Sequence, residues 1–258
     1  MKKHVLDHLI VSGLLAALVD APVMATSLDL TAGGSGSLNT AFFTTTEIQS
    51  TGSGVIDPFV RIQGHGSIEG YNATARPLMP NVKTSPTFTH DLRLSDITQV
   101  VNPTGANPGV YYEFLLDINQ SHAKSLLSLD KLVLYTSSTA LPSADQLSDL
   151  TGGATERFNL GFGNEILLNY ALNSGSGSGD LFAYIPVESF TGASSGDYLY
   201  LYSMFGGKGG DYAENGGFEE WAARAPNTVN ILDGGATAAL LILSVASLSF
   251  VTRRRQAV

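Results

Sequence analysis

The chain has 258 residues, of which 43% are hydrophobic and only 14% are charged, with a formal net charge of −9 at pH 7. This acidity argues against nucleic-acid binding, which needs a basic surface. The absence of cysteine excludes disulfide bonds and thiolate metal sites. The 28 glycines, together with many serines and threonines, favour turns and strands over helices. The length suits one large β domain or two small ones.

The N-terminus has the three-part layout of a secretory signal peptide. Two lysines follow the first methionine, residues 9–19 form an apolar run, and small residues stand at Val23 and Ala25. This order predicts a signal peptide over residues 1–25 that is cleaved after Ala25, with the export translocon as a partner. The alternative interpretation is a buried amphipathic helix.

Residues 26–228 are predicted to form the exported domain. Short β-rich runs alternate there with turn-forming clusters such as TAGGSGS and NPTGANPG. Runs of this length and spacing are typical of an all-β fold, and we expect an antiparallel, jelly-roll-like β-sandwich. The candidate strands are AFFTTTEIQ, VIDPFVRIQ, TFTHDLRL, VYYEFLLDI, KLVLYT, EILLNYAL, LFAYIPV and YLYLYSMF.

Alternation within VYYEFLLDI predicts where this strand lies in the sheet. One face is wholly apolar and is assigned to the core: Tyr112, Phe114, Leu116 and Ile118. The other face mixes apolar and acidic residues: Tyr111, Glu113, Leu115 and Asp117. We therefore expect a mid-sheet strand with a partly covered outer face.

One short helix is predicted at SADQLSDL. Ser143 is the expected N-cap and Asp145 lies in the first turn. Its length suggests a crossover between strands.

The segment YLYLYSMF places three tyrosines on one strand face: Tyr198, Tyr200 and Tyr202. A ladder of this kind is a candidate platform for stacking sugar rings, and extracellular polysaccharide is the corresponding partner. The region near Trp221 is a second candidate for sugar contact. Ordinary cross-strand packing explains the same pattern of tyrosines.

Calcium is the one cofactor that the sequence suggests. Asp117 and Asn119 lie two residues apart, so on a strand they share a face, and Asp130 offers another carboxylate. No D-x-D-x-D-G loop accompanies them. Hydrogen bonding at strand ends and turns is the alternative role.

No catalytic signature is present, and we expect a non-enzymatic protein. The sequence contains no HExxH, GxSxG or P-loop pattern. The adjacent Glu219 and Glu220 would face opposite sides of a strand, which is unsuited to glycoside cleavage. A cluster of buried carboxylates in one deep cleft would reopen the possibility of an enzyme.

The C-terminus resembles a membrane anchor. Residues 236–251 are uncharged and would span about 24 Å as a helix, while counting from Ile231 gives about 31 Å, close to a hydrocarbon core of about 30 Å. Arg253, Arg254 and Arg255 would stay on the cytoplasmic side. We therefore predict a single transmembrane helix within a sorting signal over residues 229–258. A C-terminal core helix is the alternative, but no polar face is visible.

The order of an acidic-Gly-Gly motif, a marginal span and an arginine cluster resembles the PEP-CTERM class of bacterial sorting signals. In ILDGG, the residues Asp233, Gly234 and Gly235 match its Val-Pro-Asp-Gly-Gly variant, whereas Leu232 replaces the proline. The resemblance implies processing near this motif by an exosortase, an intramembrane cysteine protease-transpeptidase. The released protein would enter the envelope or the extracellular matrix.

Internal blocks extend this resemblance from about Thr51 to the end of the chain. The blocks GSGVIDPFVRIQ, EGYN, EFLLDINQ, LLSLDKLVLY, YLYLYSMFG and ENGGFEEW are similar, in this order, to exported PEP-CTERM proteins of environmental bacteria. That group has no established activity. The resemblance implies a cell-surface or matrix protein, and a carbohydrate- or calcium-binding module of the envelope is the alternative.

Overall fold

A computed structural model describes residues 25–46, 56–175 and 179–224 of the chain. These residues form fourteen strands and one α-helix. In chain order they are β1 (Ser27–Asp29), β2 (Ser35–Leu38), β3 (Ala41–Thr44), β4 (Ile56–Gly66), β5 (Ile68–Tyr71), β6 (Leu92–Arg93), β7 (Gln99–Val101), β8 (Val110–Ile118), β9 (Leu126–Ser137), α1 (Leu147–Gly153), β10 (Thr155–Asn159), β11 (Glu165–Asn169), β12 (Leu181–Pro186), β13 (Tyr198–Phe205) and β14 (Glu214–Arg224).

The strands form two seven-stranded sheets. Sheet A has the order β1-β11-β9-β13-β5, with β10 paired to β9 and β6 paired to β13. Sheet B has the order β2-β3-β12-β8-β14-β4, with β7 paired to β8. All of these pairs are antiparallel except β1 with β11. The predicted all-β, largely antiparallel class is therefore confirmed.

The main core lies between the two sheets, as in a β-sandwich. Trp221 of sheet B is completely buried, and its Nε1 donates to the Ser203 Oγ of sheet A over 3.1 Å. The predicted core face of β8, from Tyr112 to Ile118, belongs to this same apolar cluster. On β13 the inward face is the one that carries Leu199, Leu201, Ser203 and Phe205.

The outer face of β8 is also covered, as its sequence predicted. Tyr111 and Leu115 pack there with Phe42, Phe182 and Tyr184 in a second apolar cluster. The strand itself lies between β12 and β14 in the middle of sheet B. Burial on both faces explains why β8 reads as an almost continuous apolar run.

The segment between β9 and β10, residues 138–154, covers part of the outer face of sheet A. The Tyr200 hydroxyl accepts a hydrogen bond from the Leu141 backbone N–H at 2.9 Å. The Tyr71 hydroxyl donates to the Gln146 carbonyl at 3.1 Å, and the Tyr71 and Tyr200 rings meet edge to face. This segment therefore forms a third layer that covers part of the sheet.

The predicted helix exists but begins later than expected. Its N-cap is Gln146, whose backbone N–H donates a hydrogen bond to the Asp149 carboxylate at 3.3 Å. Ser143, the expected N-cap, bonds instead to the side chain of Asp145. The helix is not a crossover, because β9 and β10 on either side of it are antiparallel neighbours in one sheet.

Two further expectations about strands were wrong. Only Leu92–Arg93 of TFTHDLRL is a strand; the residues before it form turns and irregular chain, and Leu94 begins a 3-10 helix. β14, which was not among the candidates, is central to sheet B and pairs with both β4 and β8. Its register shifts twice, between Asn215 and Phe218 and between Trp221 and Ala222, so its sequence does not alternate regularly.

The described part of the chain contains no helix with the length and apolar character needed to cross a membrane. The predicted C-terminal helix, the motif at Asp233, Gly234 and Gly235, and the three arginines lie outside the described residues, as does the signal peptide up to Met24.

The contact between Trp221 and Ser203 yields a stability prediction. We expect Trp221→Ala to lower the free energy of unfolding by about 3–5 kcal/mol, because it opens a large cavity between the sheets. Urea denaturation followed by circular dichroism measures this change. As a control, Phe162→Ala removes a ring that is 92% exposed and should cost about 0.5 kcal/mol or less. Equal losses for the two variants would contradict the packing described here.

Candidate functional site: a groove on sheet A

A groove with a volume of about 550 Å³ lies on the outer face of sheet A, where the third layer ends. Its floor is formed by β9 and β13 through Val133, Tyr135, Tyr202 and Met204. Leu147 of α1 closes it on the side of the third layer. The floor is largely apolar, and its two tyrosines are almost completely buried.

One wall is the turn that joins β10 to β11. Gly161 and Gly163 have φ values of +106° and +74°, which L side chains rarely adopt, and the Asn164 N–H closes the turn onto the Gly161 carbonyl. Between the two glycines stands Phe162, whose side chain is 92% exposed. Single exposed apolar residues are common on protein surfaces, so it is the position of this ring at the rim of a groove that makes it a candidate contact for a ligand.

The opposite wall is the turn after β13. The Asp130 carboxylate accepts hydrogen bonds from the Ser128 hydroxyl at 2.9 Å and from the Gly207 backbone N–H at 2.6 Å. Burial raises the pKa of Asp130 against the opposing effect of these bonds. Lys208 Nζ lies 2.6 Å from Glu165 Oε1, so an ion pair joins the two walls.

The expected platform of three tyrosines is wrong, although one of them borders the groove. Tyr200 is completely buried and Tyr202 is 2% exposed. The Tyr202 hydroxyl donates to the Glu69 carboxylate, while Tyr198 lies under the Arg93 guanidinium at 3.5 Å. Side chains held in this way cannot offer their ring faces to a sugar. Trp221, the other candidate for sugar contact, is enclosed between the sheets.

The three candidate calcium ligands are not brought together. Asp117 and Asn119 are neighbours at the end of β8, where the Asn119 side chain donates to Asp117 at 3.2 Å. Asp130 lies on β9 in the other sheet and is bonded to Ser128 and Gly207. Within residues 25–46, 56–175 and 179–224, no group of three or more histidine, aspartate or glutamate side chains could hold a metal ion.

A second polar feature is a buried carboxylate cluster at the end of sheet B, made of Asp180, Glu214 and Glu219 together with Gln120. The Gln120 side-chain amide donates to Glu219 at 2.7 Å and approaches Glu214 at 3.5 Å. Asp180 accepts from the Ile118 backbone N–H at 2.8 Å, while its second oxygen is buried without a hydrogen-bond partner.

Burial governs the ionisation of this cluster. Desolvation, with a smaller contribution from Asp117, raises the pKa of Asp180 to about 8. Desolvation also raises the pKa of Glu219 well above its usual range, and the neighbouring Glu214 adds to this effect. Glu219 has no exposed surface, so a substrate cannot reach it. Asp180 and Glu214 are also buried, so the cluster is enclosed by the protein.

The adjacent Glu219 and Glu220 face opposite sides of β14, as predicted. Glu220 lies away from the carboxylate cluster and accepts hydrogen bonds from the Arg61 guanidinium at 2.5 and 2.8 Å. The two glutamates therefore cannot act as a facing pair of acid and base.

No protein-family model, curated protein or solved structure matches this chain at a significant level.

Sequence reasoning missed Phe162, which is the most exposed aromatic residue at the groove. The pattern LGFGN, with glycines on both sides of an aromatic residue between two strands, was a signal that could have identified it. Asp130 and Tyr202 were assigned to separate candidate sites, yet both line this groove.

The raised pKa of Asp180 predicts how stability depends on pH. The folded protein binds this proton more tightly than the unfolded chain, so the contribution of Asp180 to stability is fully present below pH 3.8 and is lost as the pH rises toward about 8. Asp180→Asn should therefore flatten the decline and raise the melting temperature at pH 8. Thermal unfolding between pH 4 and 9 measures this.

Asp29→Asn is the control, because hydrogen bonds from Thr31 lower the pKa of this exposed carboxylate. It should leave the decline between pH 5 and 8 unchanged. An Asp180→Asn profile parallel to that of the unaltered protein would contradict the assignment.

Proposed function

We propose that this chain is a non-enzymatic protein of the cell surface or extracellular matrix that binds a polysaccharide segment in the groove on sheet A. The observation that carries the proposal is the exposed Phe162 ring beside a groove with an apolar floor and polar walls. Ring stacking against the apolar face of a sugar needs an accessible aromatic side chain of this kind. A groove of about 550 Å³ is within the usual range of ligand sites.

Polar groups at the rim suit sugar hydroxyls. The exposed Asn159 lies on one wall, and the ion pair of Lys208 with Glu165 supplies both a donor and an acceptor. Asp130 is already fixed by backbone and hydroxyl donors, so it can accept a further hydrogen bond without reorganising. Groups held in place before binding lose little conformational entropy when they bind.

The proposed cellular location is based on the two ends of the sequence. In this proposal a signal peptide is removed after Ala25, and a single C-terminal helix with Arg253–Arg255 on the cytoplasmic side halts the chain in the membrane. An exosortase then acts near Asp233–Gly235 and releases the protein into the envelope or matrix. The jelly-roll-like description of the sandwich belongs to the same proposal and is supported by β12, β13 and β14, which alternate between the sheets.

The groove is tested by retention on immobilised polysaccharides: cellulose, xylan, polygalacturonate and alginate. Phe162→Ala should weaken binding to the retained polymer about tenfold, because it removes the stacking face. Val101→Ala is the matched control, since Val101 is 67% exposed and does not line the groove. Equal retention of both variants, with unchanged melting temperatures, would overturn the assignment of the groove.

The proposed export and C-terminal processing are tested by intact-mass measurement of the secreted protein. We expect a chain that begins at Thr26 and ends near Gly235, and Leu232→Pro should increase the released fraction by restoring the motif. A reporter fused after Val258 should be cytoplasmic in the precursor. Secretion of a chain that still ends at Val258 would contradict processing at this signal.

A further inference from the structure

The predicted new N-terminus is bonded to two residues of the groove wall. The Thr26 backbone N–H donates to Asn164 Oδ1 at 2.9 Å, and the Thr26 carbonyl accepts from the Glu165 N–H at 3.1 Å. Both Asn164 and Glu165 line the groove. These bonds begin the parallel pairing of β1 with β11, which fixes Thr26 in place.

Ala25 covers a part of the same wall. A β-carbon added at Gly163 would lie 2.9 Å from the Ala25 β-carbon, so the alanine packs directly on this glycine. Ala25 and Thr26 are both exposed. Cleavage after Ala25 would therefore uncover Gly163 beside Phe162 and would convert the Thr26 amide into an α-ammonium group.

This conversion changes the charge balance of the groove. Lys208 and Glu165 neutralise one another across the opening. The remaining charged side chains that line it are Asp130, which accepts from Ser128 and Gly207, and the exposed Lys131. A new ammonium group at Asn164 would therefore add a positive charge to the one that Lys131 supplies, and it carries two N–H donors beyond the one that bonds to Asn164.

We propose that removal of the signal peptide completes the groove by placing the Thr26 α-ammonium group in it, and that the mature groove prefers polysaccharides bearing carboxylate groups. This inference rests on the proposed function. An acidic sugar whose ring stacks on Phe162 places its carboxylate within reach of the ammonium group and Lys131. The precursor lacks this charge, so binding is coupled to export.

The test compares three forms of the chain that all end at Val258 and are kept in mild detergent. The first begins at Thr26 with a free α-amino group, and the second is the same chain acetylated enzymatically at that group. The third retains Val23, Met24 and Ala25 and is also acetylated. Affinity electrophoresis in polygalacturonate and in neutral xylan measures binding, and melting temperatures confirm that all three forms are folded.

We expect the free form to bind polygalacturonate about threefold more tightly than either acetylated form at low salt, which is the range of one exposed ion pair. This advantage should disappear as the pH passes about 8, where the α-amino group loses its proton. Xylan should not distinguish the free form from the acetylated form.

Equal affinity of the free and acetylated forms for polygalacturonate would overturn the inference, as would an advantage that persists at pH 9.5. If Phe162-dependent binding to xylan survives in that case, the proposed polysaccharide groove stands and only the role of Thr26 fails. If Phe162→Ala changes binding to no polymer, the proposed function itself fails.

Discussion

The central strands of sheet A, β9 and β13, are buried on both faces over most of their length. Their inward face packs against sheet B, where Trp221 bonds to Ser203, and the outward Tyr200 of β13 lies beneath residues 138–154. A chain without cysteine has to obtain its stability from packing of this kind, because disulfide bonds cannot restrict its unfolded state. The Tyr200 and Tyr202 hydroxyls have partners in the covering layer and in Glu69, and these hydrogen bonds compensate for the loss of water.

The groove exists because this covering layer stops short. Residues 138–154 cover Tyr71 and Tyr200, and beyond Leu147 the groove lies over the part of the same sheet face that carries Tyr202 and Met204. On that side the strand paired with β9 changes from β10 to β11. The turn that joins β10 to β11 carries Phe162 at its tip. The groove thus lies between the end of segment 138–154 and the turn that joins β10 to β11, and sheet A forms its floor.

Local alternation was sufficient to predict the two faces of β8 and β13. β8 follows its sequence pattern on both faces, and β13 has the two faces that its residues imply. β14 escaped prediction because two bulges and the Gly216–Gly217 pair interrupt its period. The roles of the tyrosines could not be read from the sequence either, since Leu141 and Glu69 lie about sixty and more than one hundred residues away from them. For the same reason Asp130, Phe162 and Tyr202, which come from three separate segments, could not be recognised as one groove.

The direction of β14 relates the groove to the proposed membrane tether. Gly206, beside the groove, lies against the first residue of β14, because a β-carbon added there would be 2.8 Å from the Glu214 backbone nitrogen. From Glu214 the strand runs for 11 residues, roughly 30 Å, to Arg224 at its opposite end. A tether that follows Arg224 would hold the far end of the sandwich at the membrane. The groove and the Thr26 terminus beside it would then face outward, which is the orientation that a protein needs in order to reach polymer beyond the cell surface while it is still attached.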